Sequence, residues 1–593
     1  MTGSNPQLQQ SSDYKVVIAY DFGTTYSGAA YGFTHSTPPE VFDIQNWPQK
    51  GGNFYPKVPT LSVYPRQNQP GTKLSGRSTL SDWGHSAKKA MLKPHSEKKN
   101  ILLSQFKLQL DESLKQPPLE NGLTPVQAVA DYLLELHEHT LQELSRSFAR
   151  NYHPDTFCYC LTVPAVWSDK AKNLMRQAAI QAGLITPSDP PDRLILVSEP
   201  EAAALYCEET MTEQVQLKDK DRIMICDAGG GTVDLIVFQV NFANNSKNDN
   251  TSRAKKRELK EVTKGMGASC GSVFLDHRYQ ELLQSKLGDK IMSKINPREL
   301  YTMMENFTGA IKPEFNGVDD HFVELPRSVR TEDIPASVRD LDEEGYLDEG
   351  MLQFTGQELK DKVFDPVIDK VLALIEEQYQ QIPDRQLDFL FLVGGFGSSK
   401  YLYQRIQKVF EGTKVNHIAC PAERAALAVV RGAAYYGIQP QIVTSRVSRR
   451  TYGISIHMPF DDTLDPPSKR VVKPDGGIRC KSRFSIFVEK NDELPVDHCI
   501  EKEFWVYYET EKTVDINIYG TENDTVPRYC DEPGVQRIAT MSVNVPEMKG
   551  VQKNEKVFIN NRMYFGRTEI RVEAEFRTGE KFNINCDFDL AFK

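Results

Sequence analysis

The stretch "ICDAGGGTVDLIVF", Ile225 to Phe238, sets three consecutive glycines between two apolar runs. Such a turn can be a plain hairpin, or a loop stripped of side chains so that a phosphate reaches the backbone amides. A second stretch with the same grammar helps to decide. "VVIAYDFGTTYSGAAYGF", Val16 to Phe33, again runs apolar strand, Asp, one residue, glycine, threonine, alternating strand. Asp21 matches Asp227, Gly23 matches one of Gly229, Gly230 and Gly231, and Thr24 or Thr25 matches Thr232. Glycine amides and threonine hydroxyls can donate to phosphate oxygens, and an Asp at a strand end can hold a hydrated Mg²⁺. Two such hairpins, one from each half of a duplicated α/β domain, could clamp a triphosphate from opposite sides.

A third glycine element, "FLVGGFGSSKYL" at Phe391 to Leu402, ends a buried strand and opens a helix. Helix N-termini and close-packed glycines suit a nucleotide at such a crevice. It is not a P-loop, because Lys400 follows serine rather than glycine. "GMGASCG", Gly265 to Gly271, misses the dinucleotide-binding spacing by one residue and reads as a turn.

A chain of 593 residues is too long for one core and calls for two or more domains. Hydrophobic residues make up 39% and charged residues 26%, which is ordinary for a folded water-facing protein. A net charge of -10 gives no footprint for nucleic acid, and basic runs such as "RAKKREL" are short and diluted by acids. The polar start "MTGSNPQLQQSSD" lacks the apolar centre of a secretory signal, and no apolar run is long enough to span a bilayer. A cytosolic or nucleo-cytosolic home, with no membrane contact, is the default expectation. The ten cysteines include no C-x-x-C pair; Cys158 and Cys160 fall on one face of a strand and read as buried thiols. His137 and His139, two apart on a helical pattern, point to different faces and fail as a zinc pair.

From Lys15 to about Tyr436 short apolar runs alternate with amphipathic helical stretches, the mark of an α/β domain. "VVIAY", "FCYCLTV", "LILVSEP", "IMICD" and "FLFLVGG" read as buried strands. "SDKAKNLMRQAAIQAGL" and "PVIDKVLALIEEQYQQ" read as helices, the second opening with Asp365 as N-cap and Pro366 at the first helical position. The polar stretch Asn241 to Lys256 reads as a long, disordered loop between two strands. From about Val447 strict alternation takes over. Ile570, Val572, Ala574 and Phe576 alternate into a turn at Thr578–Gly579, and Phe582, Ile584 and Cys586 alternate back, predicting a hairpin in a separate all-β sandwich. The expected division is a disordered 1–13, an α/β domain over 14–440, a linker at 441–450 and a β domain over 451–593.

In order and spacing, "DFGTTYS", "LTVPAVWSDKAKNLMRQAAIQAGL", "SEPEAAALY", "DAGGGTVDL" and "LVGGFGSS" resemble the ATPase domain of the 70-kDa heat-shock chaperones. That domain belongs to the actin, hexokinase and heat-shock superfamily. The wording "LVGGFGSS" and "CPAERAALAVVRGAAYYG" is similar to the divergent branch typified by heat-shock 70-kDa protein 12. The resemblance implies a two-lobed, duplicated actin-like (ribonuclease-H-like) domain that binds ATP or ADP with Mg²⁺. Asp21, Glu199 and Asp227 would orient Mg²⁺ through its waters. Gly23, Thr24, Thr25, Tyr26 and Thr232 would meet the phosphates, with Gly229, Gly230 and Gly231 supplying amides. Asp234 would help orient or deprotonate the attacking water, and Lys107 would stabilise charge on the γ-phosphoryl group. Gly394, Gly395, Phe396 and Ser398 fall on the adenosine loop, with Lys312 closing the pocket from the other lobe. Pro164 and Glu199 match positions that pass the nucleotide state to the partner domain. Taken without the resemblance, Lys107 reads as a surface lysine.

The β domain stands where the family carries its peptide-binding sandwich, and no C-terminal helical lid is expected. The implied activity is slow ATP hydrolysis by a chaperone-type protein whose β domain takes polypeptide clients or a specific protein partner, with a nucleotide-exchange factor as a further partner. Other classes weighed are a nucleotide-gated signalling protein with little turnover, a small-molecule kinase of the same superfamily, and an actin-like filament.

Overall fold

The computed structural model describes residues 14–588 apart from 67–78, 94, 149–152, 243–256, 341, 343–344, 348, 422–424, 497, 509–512, 549, 566, 577–580 and 586. The expectation of disorder over 1–13, the long polar loop and the hairpin turn at Thr578–Gly579 fall wholly or largely outside the described residues. By internal packing the mixed α/β chain divides into two units. The first holds Met1–Val166, Leu174–Val240 and Gly265–Pro440; the second holds Trp167–Asn173, Asn241–Lys264 and Gln441–Lys593.

In the first unit, the apolar runs read from sequence become strands because both of their faces are covered. β1 (Val16–Asp21) is buried at every residue and pairs antiparallel with β2 (Tyr26–Phe33). On its other side β1 runs parallel to β3 (Phe157–Val163), which runs parallel to β4 (Leu194–Ser198). The same order recurs around the glycine triplet. β5 (Arg222–Ala228) pairs antiparallel with β6 (Val233–Phe242) and parallel with β7 (Phe389–Val393), which runs parallel to β8 (His417–Ala419). Each chemistry-bearing turn therefore joins a central strand to its antiparallel neighbour.

Helices fill the spaces between. α1 (Pro125–Ser147) is capped by Thr124, whose hydroxyl accepts from the Gln127 amide, and carries Pro125 in its first turn. α2 (Glu199–Val215) packs on α6 (Ala428–Ile438), and Gly432 lets the backbones approach so closely that a Cβ there would collide with the Ala202 carbonyl. α3 (Val273–Leu287) follows the glycine triplet's neighbour segment, and α5 (Lys400–Phe410) opens with Ser399 accepting from the Leu402 amide. α4 (Asp365–Gln380) departs from expectation. Asp365 does not cap it, because a π-turn over Lys360–Phe364 continues from the helical turn Gly356–Leu359, whose cap is Thr355. Pro366 has no N–H to give to the preceding turn, and the wider π-turn accommodates it without ending the helix. The Asp365 carboxylate instead accepts from the Tyr401 hydroxyl at 2.7 Å and pairs with Arg405.

In the second unit the stretch 441–450, expected as a linker, carries the strand β9 (Val443–Val447). β9 runs parallel to residues of the strand Arg257–Ala268 and antiparallel to Glu493–Pro495. One sheet then orders Arg470–Val472, β11 (Ile478–Val488), β10 (Thr451–Pro459), β13 (Thr513–Thr521), β14 (Val535–Asn544) and Asp587–Phe588. A second orders β12 (Cys499–Tyr507), β15 (Lys556–Tyr564), β16 (Arg571–Phe576) and β17 (Lys581–Asn585). Val572 pairs with Ile584 and Ala574 with Phe582, the register that the alternation predicts. Ile518, Met541 and Val543 from the first sheet share one apolar core with Ile559, Met563, Val572 and Phe576 from the second. Among the described residues no helix is long and apolar enough to cross a membrane.

Candidate functional site

Two turns meet face to face in the first unit. Asp21 ends β1 opposite Gly28, and Asp227, near the end of β5, stands opposite Asp234. Between the turns there is no room for side chains on the glycines: a Cβ at Gly230 would collide with the Thr25 hydroxyl, and one at Gly231 with the Thr24 hydroxyl. The Gly229 amide closes its own turn on the Thr232 carbonyl at 3.0 Å. The amides of Thr24, Thr25, Gly230 and Gly231 have no hydrogen-bond partner among the described residues. Thr24 and Gly231 are buried and Thr25 and Gly230 half-buried, so the facing turns carry four N–H donors able to meet acceptor oxygens.

The carbonyls of the triplet point the other way, into a clamp. Gly231 accepts from the Gly271 amide at 3.1 Å, Gly229 from Ser272 at 3.1 Å and Gly230 from Val273 at 2.9 Å. A Cβ at Gly271 would lie 2.6 Å from the Gly230 carbonyl carbon. The stretch Gly265–Gly271, expected as a turn, thus ends one strand and then fixes the peptide planes of the glycine triplet.

Four carboxylates converge here, Asp21, Glu199, Asp227 and Asp234, none more than 7% exposed. Lys107, in the short 3-10 turn Phe106–Leu110, is no surface residue. Its Nζ sits 2.5 Å from Glu199 Oε1 and 6.0 Å from the centre of the Phe22 ring. Burial pushes the Glu199 carboxyl up to about 7, against the pull of Lys107 and with Asp234 and Asp21 adding to the rise. Burial, then the neighbouring acids Glu199, Asp234 and Asp21, push Asp227 well above the ordinary carboxylate range, with Lys57 opposing. Burial also raises Asp234, whose ionised form is helped by the Thr232 hydroxyl and by the Val166 amide, 3.3 Å from Oδ1. That amide follows Pro164 and Ala165 at the end of β3, so Pro164 lies on the segment that touches Asp234.

The third glycine element also arrives at the end of β5. The amides of Phe396 and Gly397 donate to the Ala228 carbonyl at 2.9 and 3.1 Å, and a Cβ at Gly394 would collide with Asp227. Gly395 lies beside the Tyr55 hydroxyl, and Ser398 Oγ donates to the Gly394 carbonyl at 3.4 Å. The Phe396 ring is buried. Tyr26 packs its ring against Tyr55 with centroids 4.6 Å apart, and burial pushes its hydroxyl up to about 12. Lys312 reaches the site indirectly. It donates to Asp276 at 2.7 Å and to the Ser272 carbonyl at 3.3 Å, bracing the clamp that holds the glycine triplet.

Sequence reasoning missed Tyr55, Lys57 and Thr162. Lys57 Nζ lies 2.5 Å from Asp21 Oδ2, and the Thr162 hydroxyl donates to Asp21 Oδ1 at 3.2 Å. Nothing in "NFYPKVPT" marks its lysine as buried; only the pairing of Val58–Pro59 with β2 does so.

A family model described as a domain of unknown function (DUF8340) matches residues 217–419, which include the glycine triplet and the third glycine element. The chain is 26% identical to heat shock 70 kDa protein 12A of Homo sapiens, over 99% of this chain and 93% of that protein. It is 25% identical to heat shock 70 kDa protein 12B of Homo sapiens, over 98% of this chain and 92% of that protein. A shorter match, 27% identical, joins 25% of this chain to 20% of the chaperone protein DnaK of Prochlorococcus marinus. Over nearly its full length, the chain is a homologue of heat shock 70 kDa proteins 12A and 12B.

Proposed function

We propose that this protein binds Mg·ATP between the two facing turns and hydrolyses it slowly, and that its β unit, read as a sandwich, engages polypeptide clients or a specific protein partner. The observation that carries the reading is the meeting of Gly230 and Gly231 with Thr25 and Thr24, with unpaired amides on both sides and four buried acids beneath. The repeated strand order around the two hairpins supports a duplicated two-lobed domain. The relatives' names support a heat-shock-70 type of activity.

The residues suit a magnesium ion. The Asp227 carboxylate has no hydrogen-bond or ion-pair partner among the described residues, and hard carboxylate oxygens are the donors this ion takes. No three His, Cys, Asp or Glu among the described residues are placed to chelate an ion directly, so Asp21, Glu199 and Asp227 would hold it through its waters. When bound, the ion would neutralise charge on the β- and γ-phosphates. The chain's own part is positional and electrostatic. The amides of Thr24, Thr25, Gly230 and Gly231 would fix the phosphate oxygens without reorganising. Asp234, held by Thr232 and Val166, would orient the attacking water and accept its proton. Lys107 would turn from Glu199 toward the γ-phosphoryl group and stabilise its developing charge.

Single-turnover ATP hydrolysis by the wild type and by Asp21→Asn tests this reading. Slow phosphate release that falls at least ~10-fold in the variant supports it, a loss of about 1.4 kcal/mol of transition-state stabilisation. Tight Mg·ATP binding with no release in either protein would replace hydrolysis by nucleotide-gated signalling.

A further inference from the structure

We infer that Lys57 is a built-in cation of the phosphate site, which lets nucleotide bind without a divalent ion; the inference rests on the nucleotide reading above. The placement of Lys57 is constructed rather than incidental. Val58–Pro59 pairs antiparallel with β2, Ser27 opposite Val58, which sets Lys57 beside Gly28. Gly28 is in turn the register partner of Asp21. The lysine stem lies across Gly28, its Cγ, Cε and Cδ only 3.2, 3.4 and 3.6 Å from where a Cβ there would stand. Any larger residue at position 28 would push the stem away. Asp21, Gly28 and Lys57 therefore form one row across three strands, and the row delivers Nζ to Asp21 Oδ2 at 2.5 Å.

The ammonium is spare in donors and rich in negative neighbours. A lysine has three N–H groups. The only hydrogen bond Lys57 makes with its side chain among the described residues is the one to Asp21. Its side chain is 10% exposed, and burying an ammonium costs several kcal/mol unless charge answers it. The ion pair with Asp21 supplies that charge. The ammonium sits against Asp21, the last residue of β1, whose turn into β2 carries the unpaired amides of Thr24 and Thr25. A phosphate oxygen on those amides would meet a fixed positive charge whether or not an ion came with it. The same ammonium occupies Asp21, one of the acids otherwise available to the waters of an ion.

Calorimetric titration of the full chain with ADP, in Mg²⁺ and in EDTA, tests this. The wild type should bind ADP in EDTA within ~10-fold of its affinity in Mg²⁺. Lys57→Met should lose at least ~10-fold in EDTA and less than ~3-fold in Mg²⁺, because the freed Asp21 can then serve the ion. Since Lys57→Met leaves Asp21 buried without its partner, Lys57→Met with Asp21→Asn provides a second variant without that charge, and it should show the same loss in EDTA. ADP binding in Mg²⁺ that vanishes in EDTA would overturn the inference alone. Unchanged affinity in EDTA for either variant would also overturn it. No ADP binding by the wild type in either buffer would overturn the nucleotide reading and this inference with it.

Discussion

Replacing Lys107 by methionine would leave Glu199 buried among Asp234 and Asp21 without the ammonium that sits 2.5 Å away. Breaking a buried pair in this way costs about 3 kcal/mol, and loss of one preorganised donor to a developing charge costs ~100-fold in rate. Lys107→Met should therefore lower both the melting temperature and the single-turnover rate. Adding Glu199→Gln should restore the melting temperature and leave the rate low, and recovery of rate in the double variant would contradict the role given to Lys107. His137 provides a test unrelated to nucleotide. It accepts from or donates to the Tyr20 hydroxyl at 2.8 Å, and burial lowers its pKa to about 4. An unfolded histidine titrates near pH ~6.5. Protonation thus favours the unfolded chain, so the contribution is full above that value and is lost as pH falls from there toward 4. Between pH 7 and pH 5 the loss is roughly 2 kcal/mol. Denaturant unfolding at the two pH values should show this slope in the wild type and a shallower one in His137→Phe. At this scale Asp21 and Asp227 were legible as a pair because they recur in a repeated local pattern, whereas Asp234 was singled out only by the resemblance. Lys57 was not, since its burial depends on which strand the next two residues join.

The glycine turn depends on an element that looked incidental in the chain. Gly271, Ser272 and Val273 donate to three successive carbonyls of the triplet and so fix which way its amides face. Gly271→Ala would press a methyl group onto the Gly230 peptide, an overpacking that costs ~1–3 kcal/mol and turns those amides away. The expected result is a lower melting temperature together with loss of ADP binding. Gly309→Ala is the matched control, because nothing lies within 4 Å of a Cβ at that position and alanine is the better helix former. Its melting temperature should hold or rise. The clamp escaped sequence reading because its glycines were compared with a known spacing rather than with a structural need. The cap assigned to Asp365 failed for a related reason: Asp-Pro is a strong start signal, but the turn before it is already helical. By contrast, the strands of the second unit followed from alternation, since burial of one face requires a period of two.

At the scale of the whole molecule, the order β2-β1-β3-β4 recurs as β6-β5-β7-β8, each with an Asp at the end of its central strand or beside it. That recurrence was readable from two hairpins some two hundred residues apart, because each hairpin keeps its own strand–turn–strand grammar. The packing boundaries were less readable. Trp167–Asn173 and Asn241–Lys264 group with the C-terminal strands, and 441–450 holds a paired strand where polar composition suggested a tether. Trp167–Asn173 carries no compositional mark of its grouping, and the strand Arg257–Ala268 is tied to the C-terminal strands by long-range pairing, such as Leu259 with Val443. Nucleotide lodging between the two turns is tested most directly by a calorimetric titration of the full chain with Mg·ATP, beside Gly230→Val. A valine at that position would fill the space against Thr25. The prediction is one ATP site per chain in the wild type and at least ~100-fold weaker binding in the variant, about 2.7 kcal/mol. No binding by the wild type, or equal binding by Gly230→Val, would contradict it.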